Sequence, residues 1–442
     1  MTTMSTRMLA ALSMALLAGV AGCGPGTGDG GNDRSGAVSD LGGWAGTDLP
    51  GDTLPQDVPP VPVTVTLAVP PDLQAAGVVV HATVISPDSP ALERSRTSRP
   101  GEEDLVVEAR AGDYVIASVV DGEGQVVRIQ AMAADFPEWS VPGESCRTLV
   151  VPTPAHPTIQ AAVDAAKACD TVLVLPGTYR EFVTLHAPIR LLGSGPLLTV
   201  LDGSQPVAGR RALVDYTDGP GSLIAGFRFT GVPPVDVGCA DPSDPFLCSG
   251  DWYVAAVYGD GHSAESALRA SVFLVHNVFD GNEIAVMSYF HALAVVRNNV
   301  FVGNRYAFVG NHFQDQSLIA NNVFYRNEGF AIGSSAAYLD VVNNLFVENG
   351  EAMRHEYVQI GWIRCNLFWA NGEVGQRVPL GSDGNLELDP GFLDPASGNF
   401  LLGPSSPALD MGCFAEQSPD LDGSPQDMGA FGGSFGRWAD GE

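Results

Sequence analysis

The sequence predicts a mainly β chain dominated by a right-handed parallel β-helix of about 22 residues per coil, preceded by a small β-sandwich. Five segments carry the pattern N-[VL]-F-x-x-N, beginning at Asn277, Asn299, Asn322, Asn344 and Asn366, with starts 22, 23, 22 and 22 residues apart. A fixed period of this size means stacked repeats. The leucine pattern of leucine-rich repeats and the heptads of coiled coils are both absent. The 52 glycines and 32 prolines imply many turns, while 45% hydrophobic residues suffice for a core. Helical periodicity is confined to one short stretch.

The repeat columns have separate physical roles. Phe279, Phe301, Phe324, Phe346 and Phe368 share one environment, as do Leu274, Val296, Ile319, Val341 and Ile363. Both sets are apolar in every coil and are expected to point inward, with coils about 4.8 Å apart. Val323, beside the Phe column, is expected to face outward. Asn277, Asn299, Asn322, Asn344 and Asn366 suit a ladder, because each amide offers donors and an acceptor to its neighbours. The second column, Asn282, Asn304, Asn327, Asn349 and Asn371, suits a turn that needs a left-handed residue. Cys365 falls in the column of His276, Asn298, Asn321 and Asn343 and reads as a break in a ladder. Less regular coils precede these, including Leu223 to Gly231, a degenerate repeat copy. Eight or nine coils make a rod of about 40 Å.

The first residues read as a targeting segment. Arg7 precedes an apolar stretch from Met8 to Val20, too short to span a bilayer. Val20-Ala21-Gly22-Cys23 follows and resembles the lipobox of bacterial lipoproteins. That resemblance implies a signal peptide over 1–22, acylation of Cys23, and anchoring in the cell envelope, with outer-membrane sorting favoured because Gly24 follows the Cys. Two or more acyl chains hold a protein on a membrane stably. Residues 23–60, rich in Gly, Asp, Pro and Thr, read as a disordered acidic tether.

Residues 61–142 read as the β-sandwich. Val63 to Val69 alternates as a half-buried strand does, Val78 to Ile85 forms a second, and Asp121 to Gly124 marks a hairpin between Tyr114–Val120 and Gln125–Met132. The pattern resembles transthyretin-like or immunoglobulin-like modules. The β-helix then occupies 143–434. Thr158 is a suitable N-cap for a helix over 158–169. The string TIQAAVDAAKACDTVLVLPGTYRE closely resembles the entry of pectin lyase-like β-helix proteins, which implies that this helix caps the open end of the stack. Residues 389–434 resemble the closing coil of bacterial β-helix surface proteins and are expected to cap the other end.

Six cysteines remain after Cys23, an even count that suits disulfides in an exported protein. The preferred pairs are Cys146–Cys169, Cys239–Cys248 and Cys365–Cys413. The net charge of −29, with Lys167 the single lysine, gives no basic footprint for nucleic acid. A monomer is expected.

Enzymes of this fold act on polysaccharides, but their motifs are sparse here. Pectin methylesterases share the entry string and add QDT and DFIFG blocks; Gln314-Asp315-Gln316 only echoes the first, and the second is absent. A lysine base is excluded, since Lys167 sits on the cap helix. The best cluster is Arg354-His355-Glu356-Tyr357. Counting from the turn asparagines places Asn311, His312, Tyr289 and Phe290 on the same lateral strip, with His291 and Asp315 just beyond. The catalytic candidates are thus Arg354, His355, Glu356, His312 and Asp315, and the binding candidates Tyr289, His291, Asn311 and Tyr357. Glu283, Arg305 and Glu328 form a surface ion-pair column. No metal site is expected, with Asp420, Asp422 and Asp427 the only candidates for Ca²⁺; a turn-and-cap role is simpler, because EF-hand spacing is missing. Two functions follow: an anchored lipoprotein whose β-helix binds polysaccharide or a cell-envelope partner, or a carbohydrate-active enzyme, a lyase or hydrolase of acidic glycans.

Overall fold

In the computed structural model the description covers the strands between 62 and 133, residue 436, and residues 147–433 apart from 169, 206–211, 219–220, 235–254, 262–269, 291, 312–315, 357–360, 414–419 and 421–423. Three parallel sheets run along the stack. Sheet I has nine strands, from Thr148–Val151 to Ile363–Arg364, and sheet II nine, from Gly177–Tyr179 to Leu386–Glu387. Sheet III has seven, from Val183–Thr184 to Glu351–Glu356. Seven successive coils contribute one strand to each sheet in turn and the end coils only one or two, which is a parallel β-helix of about nine coils.

The inward columns lie where the repeat places them. Sheet II pairs Phe279 with Phe301, Phe301 with Phe324, Phe324 with Phe346 and Phe346 with Phe368. The rings stack nearly parallel at centroid distances of 4.7, 4.8, 4.9 and 4.9 Å, and Phe229 extends the column by one coil at 4.9 Å. Leu274, Val296, Ile319 and Val341 fill the facing column of sheet I, fully buried. A third inward column, Ala285, Ala307, Ala331 and Ala352, lines sheet III with small side chains.

Both asparagine columns are ladders. In the first, each Nδ2 donates to the Oδ1 of the next coil at 3.0–3.1 Å from Asn277 to Asn366, and Asn385 adds a further rung at 3.2 Å. The second ladder runs from Asn282 to Asn371 at 2.8–3.0 Å. Each Nδ2 also donates to a carbonyl of the preceding coil, as Asn304 does to Phe279 at 3.0 Å, so these buried amides are satisfied. The second column is therefore not the left-handed one. That conformation falls one residue earlier, at Gly281, Gly303, Arg326, Glu348 and Ala370. At the other turn it falls on His276, Asn298, Asn321, Asn343 and Cys365. A left-handed residue directs its side chain out of the coil, which leaves the next residue free to enter the ladder.

Cys365 and its column are thus an attachment row rather than a broken ladder. The described residues between 389 and 433, expected to close the end of the stack, run along its outside and meet that row. Asn298 Nδ2 donates to the carbonyls of Ala430 and Gly432 at 2.9 and 2.8 Å. Asn321 Nδ2 donates to Asp427 O at 3.1 Å, and the Cys413 N–H donates to Asn343 Oδ1 at 2.8 Å. Cys365 and Cys413 form a disulfide with Cα atoms 5.6 Å apart; Cys146, Cys169, Cys239 and Cys248 lie outside the described residues. Beneath this strap Phe400, Ala408, Met428 and Ala430 cover the outer face of sheet II at Val300, Val323, Leu345 and Leu367. Val323 faces out of its coil yet is fully buried.

At the N-terminal end, Thr158 caps a shorter helix than expected, Ile159–Ala165, its Oγ1 accepting from the Ala161 N–H at 3.1 Å. Ile159, Ala162 and Val163 close the core. Before the β-helix lie two antiparallel sheets. One pairs Pro62–Ala68 with Asp104–Arg110; the other orders Arg94–Thr97, Val79–Ile85, Tyr114–Val120 and Val126–Ala133. Alternate residues Leu105, Val107 and Ala109 are buried, as in a sandwich. Val79 packs against Leu223, Phe273, Val295 and Leu318 on the outer face of sheet I.

Phe324→Ala is expected to cost about 3–5 kcal/mol, through a lost stacked ring and the cavity it leaves. Val323→Thr should also cost about 1–3 kcal/mol, because its hydroxyl would be buried beneath the strap. Denaturant unfolding of both variants checks this, and a neutral Val323→Thr would place the strap elsewhere.

Candidate functional site

Strand pairing fixes which candidate residues share a row. On sheet III, Asp260 pairs with Tyr289, Tyr289 with Asn311, Asn311 with Ser335 and Ser335 with Glu356. Tyr289, Asn311 and Glu356 therefore stand in one row. Asn311 is only 4% exposed, which leaves no room for a ligand against it. His291, His312, Asp315 and Tyr357 lie outside the described residues.

Arg354 and His355 do not converge, since adjacent residues of a strand point to opposite faces. Arg354 lies outside: its Nε donates to Glu351 Oε2 at 2.8 Å, and the guanidinium sits over the Phe330 ring at 5.3 Å. His355 continues the row of Ser288, Gly310 and Ser334. Ser288 and Ser334 are buried, and both His355 ring nitrogens are buried without a hydrogen-bond partner. Burial, helped by the positive charge of Arg377, pushes the imidazole from 6.5 down to about 4. On the ion-pair column, Arg305 Nη1 meets Glu283 Oε1 at 2.7 Å. Burial raises the Glu283 pKa and Arg305 opposes that shift.

A different surface is open. Where the strap stops short, the outer face of sheet II forms a groove of about 640 Å³. Its floor is Val278, Val300 and Val302. One lip carries Leu197 and Leu198, and the other the strap residues 395–400. Leu197 is 84% exposed. Arg228 pairs with Asp280 on the floor, and the Arg326 guanidinium covers the Tyr325 ring at 4.8 Å. The lining spans four successive strands of sheet II, from Arg228 to Tyr325, or about 14 Å along the axis. Nothing in the repeat marks this groove, because the edge of a non-repetitive segment defines it.

Residues 257–377 match the sequence model of a family described as periplasmic copper-binding protein (NosD). With three parallel sheets in coil-by-coil register, this settles the architecture. The central domain is a parallel β-helix. Solved structures that share features with this β-helix include the mannuronan C-5 epimerase A-module of Azotobacter vinelandii, at 17% identity over 48% of this chain and 66% of that one, with a TM-score of 0.32. The chain thus spans slightly less than two thirds of that module. Pectin methylesterase from Erwinia chrysanthemi aligns at 11% identity over 53% of this chain and 81% of its own, TM-score 0.26. Carrot pectin methylesterase aligns at 12% over 60% and 100%, TM-score 0.30. Scores this low carry no argument about substrate or chemistry. No curated protein matches the chain.

Copper enters only through the family description. Among the described residues no three His, Cys, Asp or Glu side chains come together as a metal-ligand group. Within the matched span both His355 ring nitrogens lack a hydrogen-bond partner and Cys365 is in a disulfide, while His262, His291 and His312 lie outside the described residues. The carboxylates considered for Ca²⁺ are engaged by the strap backbone. Asp420 accepts from the N–H groups of Asp427 and Gly433, and Asp427 Oδ1 from the Asp410 N–H at 2.7 Å. Asp422 lies outside the described residues.

His355 predicts a pH dependence. The unfolded chain takes up the proton near 6.5 and the folded chain only near 4, so between these values the unfolded state binds more protons. Stability from this group is complete above 6.5 and falls toward 4, by roughly 3 kcal/mol. Relative to His355→Leu, the wild-type protein should lose about that much over this window in denaturant unfolding. Parallel pH profiles would show that the imidazole is not buried neutral.

Proposed function

We propose that this chain is a lipid-anchored protein of the cell envelope whose β-helix binds polysaccharide along the outer face of sheet II. The observation that carries this reading is the groove beside the strap, which crosses four coils and combines an apolar floor with hydrogen-bonding groups at Arg228 and Asp280. Sugars are bound in this way, with aliphatic or aromatic side chains against their C–H faces and a few placed polar groups for their hydroxyls.

Location follows from two supports. The lipobox at Val20 to Cys23 makes Cys23 the acylated residue, and the matching family is described as periplasmic. Among the described residues no helix is long and apolar enough to cross a membrane. The enzyme reading, a lyase or hydrolase, draws no support from the described geometry. Its best cluster is divided between the core and the surface at Arg354 and His355.

Cys23→Ser should leave an exported protein that no longer partitions into detergent; unchanged partitioning would remove the anchor from this account. The same soluble variant should be retained by immobilised polysaccharide, without release of unsaturated products or new reducing ends. Failure to bind any member of a panel of neutral and acidic glycans would refute the binding function.

A further inference from the structure

The charge balance of the groove points to the kind of polysaccharide, an inference that rests on the binding function above. The ionisable side chains of the lining are Arg228, Asp280 and Arg326, and both guanidiniums are compensated. Arg228 Nη2 is bonded to Asp280 Oδ2. Arg326 Nε donates to Glu348 Oε2 at 2.6 Å. Just outside the groove, Arg180 Nε meets Asp202 Oδ2 at 2.9 Å. Among the described residues each lining cation already has a carboxylate partner, although Arg228 Nε is itself buried without a hydrogen bond. The chain as a whole carries −29, a field that repels polyanions at low salt.

A uronate chain in this groove would set its carboxylates against the floor valines or beside Asp280. Each would lose hydration without gaining a partner, an uncompensated cost. An uncharged sugar meets no such penalty. Its C–H face covers Val278, Val302 and the exposed Leu197, while its hydroxyls bond to the rims of ion pairs that stay intact. We infer that the groove takes an uncharged polysaccharide and rejects acidic ones, in contrast to the acidic glycans that the sequence suggests for an enzyme of this fold.

The test is calorimetric titration of the full chain carrying Cys23→Ser. The neutral probes are laminarihexaose, cellohexaose, maltohexaose and mannohexaose; the acidic probes are hexagalacturonate and hexamannuronate. At least one neutral hexasaccharide should bind and both acidic ones should fail. Leu197→Asp should weaken the neutral ligand tenfold or more, with the thermal unfolding midpoint unchanged because that side chain is exposed. Asp280→Asn, which frees Arg228, should admit hexagalacturonate. Tighter binding of an acidic probe by the unmodified groove, weakened by salt, would overturn the inference and leave polysaccharide binding standing. So would neutral binding that Leu197→Asp does not affect. If neither class binds, the proposed function fails and this inference with it.

Discussion

Everything in this molecule depends on coils staying in register, and two buried asparagine ladders hold them there. Each rung joins the side chains of neighbouring coils and also ties a side chain to the backbone of the coil before, as in Asn299 Nδ2 to Leu274 O at 2.7 Å. A slip of one residue would leave every rung of both ladders unsatisfied in the core, at about 1–3 kcal/mol for each lost group. No alternative register offers comparable satisfaction. The phenylalanine stack follows from that register, since rings align only where coils do. So do the left-handed turns, which fall at the position just before each ladder.

A stack built in this way has apolar outer faces as well as an apolar core, and these need cover. Sheet I receives it from the preceding domain through Val79, and sheet II from the C-terminal strap. The strap is keyed to the attachment row by Asn298, Asn321 and Asn343 and tied to it by the Cys365–Cys413 disulfide. Arg297, fully buried with its Nε bonded to Asn298 Oδ1, belongs to the same junction. The groove is the part of sheet II that the strap leaves open. Cover and binding surface are therefore two uses of one face, divided where residues 395–400 end.

The repeat made the coil legible. A period of 22 residues exposed the Phe and aliphatic columns and the first ladder, because identical neighbours impose identical side chains. The same counting placed Tyr289, Asn311 and Glu356 in one row. Asparagine was ambiguous: it favours both ladders and left-handed turns, and the second column was misassigned for that reason. Arg354 and His355 looked like one cluster because adjacency in sequence hides the alternation of a strand. The strap was legible only at its Cys365–Cys413 disulfide. Its contacts join residues as far apart as Asn298 and Gly432, no repeat marks them, and they alone explain why Val323 is buried and where the groove lies.

Hydroxyl-radical footprinting with a bound neutral hexasaccharide tests most directly whether the divided face of sheet II is the binding surface. Oxidation should fall at Leu197 and Leu198 and stay unchanged at Tyr289 on sheet III. Protection at Tyr289 with none at Leu197 and Leu198 would contradict the account and move the site to the opposite strip.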